Sequence, residues 1–205
     1  MTEPNPGVRN GPDAYDSDYR DTAGPPWEIG RPQPALSALL DTEVRGPKVL
    51  DVGCGTGDLA IALARRGFDV TAVDFSPVAI DLARAKAHQT GVSIAFDVQD
   101  ATALSLPAAP FSSIFDSGLL HNLHREDPAK AVAFLAQLPA LAAPGAAVFI
   151  LAVSAEAGPG WSLTAGLLRS LFATADWVDT RVEPADVTAQ ALSLPALLLR
   201  TRRAG

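Results

Sequence analysis

Three glycines at alternate positions, Gly53, Gly55 and Gly57, lie between two apolar stretches, with carboxylates at Asp51 and Asp58 on either side. Glycines so spaced let a chain turn tightly from strand to helix and let its backbone approach a ligand. An ordinary βα turn can look the same, so the surroundings decide. Asp74 ends the next apolar stretch about 20 residues on, where a carboxylate can accept both hydroxyls of a ribose. A glycine loop with a ribose carboxylate suits NAD and S-adenosylmethionine alike, and charge separates the two. The spacing is Gly-x-Gly-x-Gly, not the Gly-x-Gly-x-x-Gly that offers open helix amides to a pyrophosphate. Asp51 and Asp58 would repel a dianionic pyrophosphate, whereas S-adenosylmethionine brings an ammonium and a sulfonium. Asp58 also suits the first turn of a helix. Asp51, ending a buried strand, needs a partner.

The elements that position these groups follow from pattern. Val49 to Val52 reads as a buried strand, and Leu59 to Arg66 as a helix closed by Gly67. Asp69 to Val73 is a second strand. Ser76-Pro77 is a cap followed by proline at the first helical position, opening a helix to Thr90 before Gly91. Strands are expected at Val92 to Phe96, Phe111 to Asp116, Ala146 to Val153, Trp177 to Val182 and Ala196 to Thr201. Asp127-Pro128 opens a helix to Leu141 with a bend at Pro139, and another helix spans Leu163 to Ala173. This alternation predicts an α/β, doubly wound, mostly parallel sheet whose ligand lies beyond the carboxyl ends of its strands. Residues 1 to about 14 are Pro-, Gly-, Asn- and Asp-rich and read as a mobile tail; Tyr15 to Pro34 carries Tyr15, Tyr19, Trp27 and Ile29 and should pack on something. The division is therefore 1–34, tail and lid over cofactor and substrate, and 35–205, the catalytic domain.

Composition bounds the partners. A formal net charge of −7 over 205 residues argues against binding DNA or RNA through phosphates, and the cluster Arg200, Arg202 and Arg203 is a solvated terminal run. One cysteine excludes an internal disulfide and fits a reducing cytosol. No signal-peptide pattern follows Met1, and Ala142 to Val153 is too short to span a bilayer. A cytoplasmic monomer or homodimer with no membrane association is expected.

Val49-Leu50-Asp51-Val52-Gly53-Cys54-Gly55-Thr56-Gly57 resembles the first motif of class I S-adenosylmethionine-dependent methyltransferases, and Val70 to Ser76, with Asp74 and Phe75, resembles their second. Asp100-Ala101 is similar to the position where that family holds the adenine. The resemblance covers Lys48 to Val153 and implies a Rossmann-like seven-stranded sheet of order 3-2-1-4-5-7-6 with an antiparallel last strand. Pro26-Trp27-Glu28-Ile29-Gly30-Arg31-Pro32-Gln33-Pro34 resembles an element of small-molecule methyltransferases related to thiol, thiopurine and tellurite enzymes and to actinobacterial quinone and heterocycle enzymes. It implies cofactor contacts from Trp27, Gly30 and Gln33 and a substrate wall from Tyr15 and Tyr19. Asp116 to His121 resembles the fourth motif. Asp116 then holds the loop or the cofactor's aminoacyl end, and His121 is the candidate general base or a substrate contact. His124, Glu126 and Asp127 lie close by, but no metal site is expected from them.

These residues together predict methyl transfer from S-adenosylmethionine, leaving S-adenosylhomocysteine, to an O, N or S atom of a small aromatic or heterocyclic molecule. The rivals are an RNA or protein methyltransferase, which the acidity disfavours, and a non-catalytic NAD-binding Rossmann module, which the loop spacing disfavours.

Overall fold

Consecutive apolar residues can all be buried only in a strand covered on both faces, and Val49, Leu50 and Val52 are each fully buried. They belong to β1 (Lys48–Val52), an interior strand of a computed structural model that describes residues 11–190 and 192–205. Around it run β2 (Asp69–Asp74), β3 (Ala95–Val98), β4 (Phe111–Ser117), β5 (Ala142–Val153), β6 (Trp177–Ala189) and β7 (Leu192–Arg203). The order is β3-β2-β1-β4-β5-β7-β6. The first five strands are parallel, while β7 runs antiparallel to both β5 and β6. The expected sheet is therefore present in order and direction.

Alternation divides the core. Leu50, Ile114, Val148 and Ile150 point to one face, beneath α5 (Leu119–Glu126), α6 (Pro128–Leu141) and α7 (Ala165–Leu171). Val49, Phe115, Phe149 and Leu151 point to the other, beneath α2 (Pro34–Ser37) and α3 (Asp58–Ala64). There Phe115 and Phe149 stack with centroids 4.7 Å apart.

The cap rules hold where they were sharpest. α4 (Pro77–Thr90) starts at Ser76, whose Oγ accepts the Ala79 amide, and α6 starts at Asp127, whose carboxylate accepts that of Ala129. Pro139 falls in the last turn of α6 without ending it.

Elsewhere the structure differs from expectation. β3 begins three residues late because the Val92 amide closes α4 by bonding to Ala87 O, with Gly91 left-handed at φ 70°. β5 starts at Ala142, and its register shift against β4 absorbs Pro144 and Gly145 as a bulge. β6 and β7 extend beyond their expected ends into a long hairpin, with Pro184 on the outer strand, where a missing amide is tolerated. α5 was not expected at all. Nor was α1 (Pro12–Arg20), which takes residues 12–14 out of the expected tail: Pro12 occupies its first turn with Asp13 beside it. The rest of that tail, 1–10, lies outside the described residues.

Replacing Phe115 by Ala removes one partner of the stacked pair and leaves a cavity under β4. Urea unfolding should show a loss of about 3–5 kcal/mol.

Candidate active site

The register places Val52 beside Val73 and beside Asp116, so the carboxyl ends of β1, β2 and β4 are level. The sheet changes direction of winding between β1 and β4, and a cavity of about 310 Å³ opens there.

The glycine loop runs from β1 into α3 along one side of the cavity. Gly53, Gly55 and Gly57 have φ of 71°, 53° and 82°, which only glycine adopts without strain. A Cβ on Gly53 would lie 2.9 Å from Leu119, and one on Gly55 would meet the carboxylate of Glu28 at 2.6 Å. The loop amides are all engaged. Those of Gly53 and Cys54 donate to Val73 O, that of Gly55 to Asp74, that of Thr56 to Glu28 and that of Gly57 to Cys54 O. None is left to cradle a pyrophosphate.

Asp74 accepts the Gly55 amide at 2.9 Å on one oxygen and the Ser76 amide at 2.9 Å on the other, with the Phe75 amide also in reach, which leaves acceptor capacity on the carboxylate. Burial raises its pKa to about 6 against the pull of those bonds. Asp51 is different. It is 1% exposed and neither oxygen has a hydrogen-bond partner. The Ala60 amide faces it only weakly. Burial, then the charges of Asp116 and Asp74, push its pKa up to about 8. An orphaned carboxylate on the wall of this cavity fits a cationic ligand.

Most of the expected residues come together. Tyr15, Tyr19, Trp27, Gln33, Cys54, Phe75, Asp100, Ala101 and His121 line the cavity with Asp51, Gly53, Gly55 and Asp74. Three do not. Gly30 is exposed and turns the chain at φ 69°; Gly57 packs against Ala83 and Phe96. Asp116 lies behind the wall, accepting the amides of Leu119 (2.6 Å) and Leu120 (2.9 Å), so it holds the start of α5. Burial raises its pKa to about 7. Asp58 lines the cavity, but its charge is offset by Lys86 at 2.7 Å, so the charge argument rests on Asp51.

Residues 12–34 form a strap across the cavity, tied down at three points. Ser76 Oγ donates to Asp16, Thr56 Oγ1 donates to Glu28, and Gln33 exchanges two bonds with the Thr188 backbone at 2.8 and 2.9 Å. Gln33 thus has both ends of its amide engaged in anchoring. Trp27 Nε1 donates to the Tyr19 hydroxyl at 3.1 Å, and Tyr15 meets Phe75 edge-on at 5.0 Å. The Tyr19 hydroxyl is held neutral by burial, then by Asp74 and Glu28. The Cys54 thiol is likewise pushed up by burial and by Asp51.

On the far side, His121 Nδ1 accepts the Val153 amide at 3.1 Å. Burial, then Arg125, lowers its pKa to about 3, so the neutral ring carries its proton on Nε2. Trp161 stands edge-on to it at 5.0 Å, with the Arg125 guanidinium 4.7 Å over the indole. Sequence reading missed Glu28, Arg125 and Trp161 as site residues. Arg125 is four residues from His121, a same-face spacing visible only once α5 is known to be a helix. His124 turns away to Ser162 at 2.9 Å.

An open α/β sheet with a glycine loop and a carboxylate at its switch point is the architecture of Rossmann-like nucleoside-binding folds. A family profile described as a methyltransferase domain matches residues 49–140. The chain is 34% identical over 154 residues to a 2-heptyl-1-hydroxyquinolin-4(1H)-one methyltransferase of Mycobacteroides abscessus, covering 72% of this chain and 66% of that one. It is 36% identical over 138 residues to a ubiquinone biosynthesis O-methyltransferase of Xylella fastidiosa, covering 62% and 54%. A solved structure concerned with conversion of a disulfide bond into a thioacetal group during echinomycin biosynthesis superposes with TM-score 0.80 and 31% identity, over 94% of this chain and 93% of that one. The chain belongs to the class I S-adenosylmethionine-dependent methyltransferase family. It spans between about half and two thirds of the length of the curated relatives it matches.

The buried carboxylates give a pH signature. Asp51, Asp74 and Asp116 hold protons in the folded state that the unfolded chain has already released, so stability should fall as pH rises from about 4 to about 8. Asp51→Asn should flatten the upper part of that fall, read from urea midpoints across the range.

Proposed function

We propose that this protein transfers the methyl group of S-adenosylmethionine to an O, N or S atom of a small aromatic or heterocyclic acceptor. The observation that carries the reading is Asp51, a buried carboxylate with no partner on the wall of a cavity whose glycine-loop amides are all engaged. When bound, S-adenosylmethionine supplies a methyl already activated by a sulfonium, so the protein's work is to orient, desolvate and complement charge. Asp51 meets the ammonium, the remaining acceptor capacity of Asp74 takes the ribose hydroxyls, and Ala101 and Phe75 flank the base. The strap excludes water with Trp27, Tyr15 and Tyr19.

Two facts support a small acceptor. The strap closes the cavity at three tethers, and the matched relatives carry quinolone and ubiquinone in their names. The net charge of −7 opposes an RNA acceptor. Among the described residues no helix is long and apolar enough to cross a membrane. A cytoplasmic location, and a monomeric or homodimeric state, complete the reading.

His121 serves here as a donor through Nε2–H and as wall, not as the expected general base. Its free ring nitrogen already carries the proton. His121→Ala should therefore reduce turnover of a phenol and of a thiolate acceptor by the same factor to within about twofold, whereas a base would show a selective loss on the phenol.

Calorimetric titration should show binding of S-adenosylhomocysteine and none of NAD. Asp74→Ala should weaken the former by on the order of 1–3 kcal/mol. Tight NAD binding would overturn the reading. A mass-spectrometric screen of phenols, thiols and heterocycles for the gain of one methyl would then identify the acceptor.

A further inference from the structure

Charge is unevenly divided around the cavity. The carboxylates lie at the ends of β1 and β2, after β3 and on the strap: Asp51 and Asp74, Asp58 paired with Lys86, Asp100 bonded to Thr102, and Glu28 bonded to Thr56. Across the switch point, on α5 and the segment after β5, the wall changes character. Arg125 stacks on Trp161, and both line the cavity beside His121. Arg125 also helps to hold the His121 ring neutral, which places the two in electrostatic reach of each other. Glu126, the acidic residue of α5, lines the cavity but is paired with Lys130 at 2.5 Å. Asn122 donates to Gly118 O at 2.8 Å. A permanently charged guanidinium, a ring N–H donor and an indole plane thus face the acceptor space, with no unpaired base among them.

We propose that this half of the site selects its acceptor as an anion: a planar ring bearing an acidic hydroxyl or thiol, bound with its proton already lost to water. Arg125 supplies the charge that draws the ionised form, His121 Nε2–H donates to it, and Trp161 takes the ring plane. An opposite charge at close range lowers the pKa of a bound acid by 1–3 units, which removes the need for a catalytic base. The inference rests on the methyltransferase reading and adds the chemical class of the acceptor and the residue that recognises it.

The test is binding without turnover. The full chain, saturated with S-adenosylhomocysteine, is titrated into 4-nitrophenol, whose phenolate absorbs where the phenol does not. The phenolate fraction should rise, corresponding to preference for the anion by about tenfold or more. Arg125→Gln should reduce the preference to about twofold or less, and Arg125→Lys should restore much of it. Preference for the neutral phenol, absence of any spectral change, or an unaltered preference in Arg125→Gln would each overturn the proposal. Calorimetry on the same samples separates the two levels. Failure to bind S-adenosylhomocysteine defeats the methyltransferase reading itself, whereas normal binding with no phenolate preference defeats this inference alone.

Discussion

A carboxylate removed from water without a hydrogen bond costs several kcal/mol unless it is protonated or met by a cation. Asp51 is held in that condition by the sheet. Val52 must be buried between β2 and β4, so the residue before it cannot leave the interior, and Asp74 and Asp116 on the flanking strands add their own charges. The free protein answers by keeping a proton there. A ligand carrying an ammonium would supply the cation instead. Under the proposed function, the same buried position that costs the fold stability would favour a positively charged cofactor.

The glycine loop follows from this constraint. Its amides are committed to Val73, Asp74, Glu28 and the loop itself. A pyrophosphate-binding loop needs those groups free. The spacing of the glycines gave the correct cofactor class, but the physical reason lies in partners from β2 and from the strap, which spacing cannot display. Asp58 shows the opposite case. Its charge counted toward the cofactor in sequence, yet Lys86 reaches it from α4 across 28 residues.

What could be read from sequence was what is locally encoded. Ser76-Pro77 and Asp127-Pro128 announce their helices because the cap and the proline lie beside the amides they serve. α5 does not announce itself. Its cap position is the left-handed Gly118, and the amides of Leu119 and Leu120 are received by Asp116, a residue still in β4. Without that helix, Arg125 could not be placed one turn from His121, and Trp161, from a loop after β5, had no visible neighbour. The prolines of the β6–β7 hairpin hid its length for a related reason: Pro184 is harmless only on an edge strand, and edge position is a property of the whole sheet.

The strap joins these observations. Its tethers end on the Ser76 cap of α4, on Thr56 of the glycine loop and on Thr188 of the outermost strand. Two of the three therefore engage the same loop and helix start that Asp74 organises through Gly55 and Ser76. Order in the loop and closure over the cavity become one hydrogen-bonded unit. Lifting the strap would break the Glu28–Thr56 contact and remove Tyr15, Tyr19 and Trp27 from the cavity wall. Under the proposed function, binding of a cationic cofactor and exclusion of water from the acceptor would depend on this one closed arrangement, in which Tyr15, Tyr19 and Trp27 line the cavity together with the strand ends.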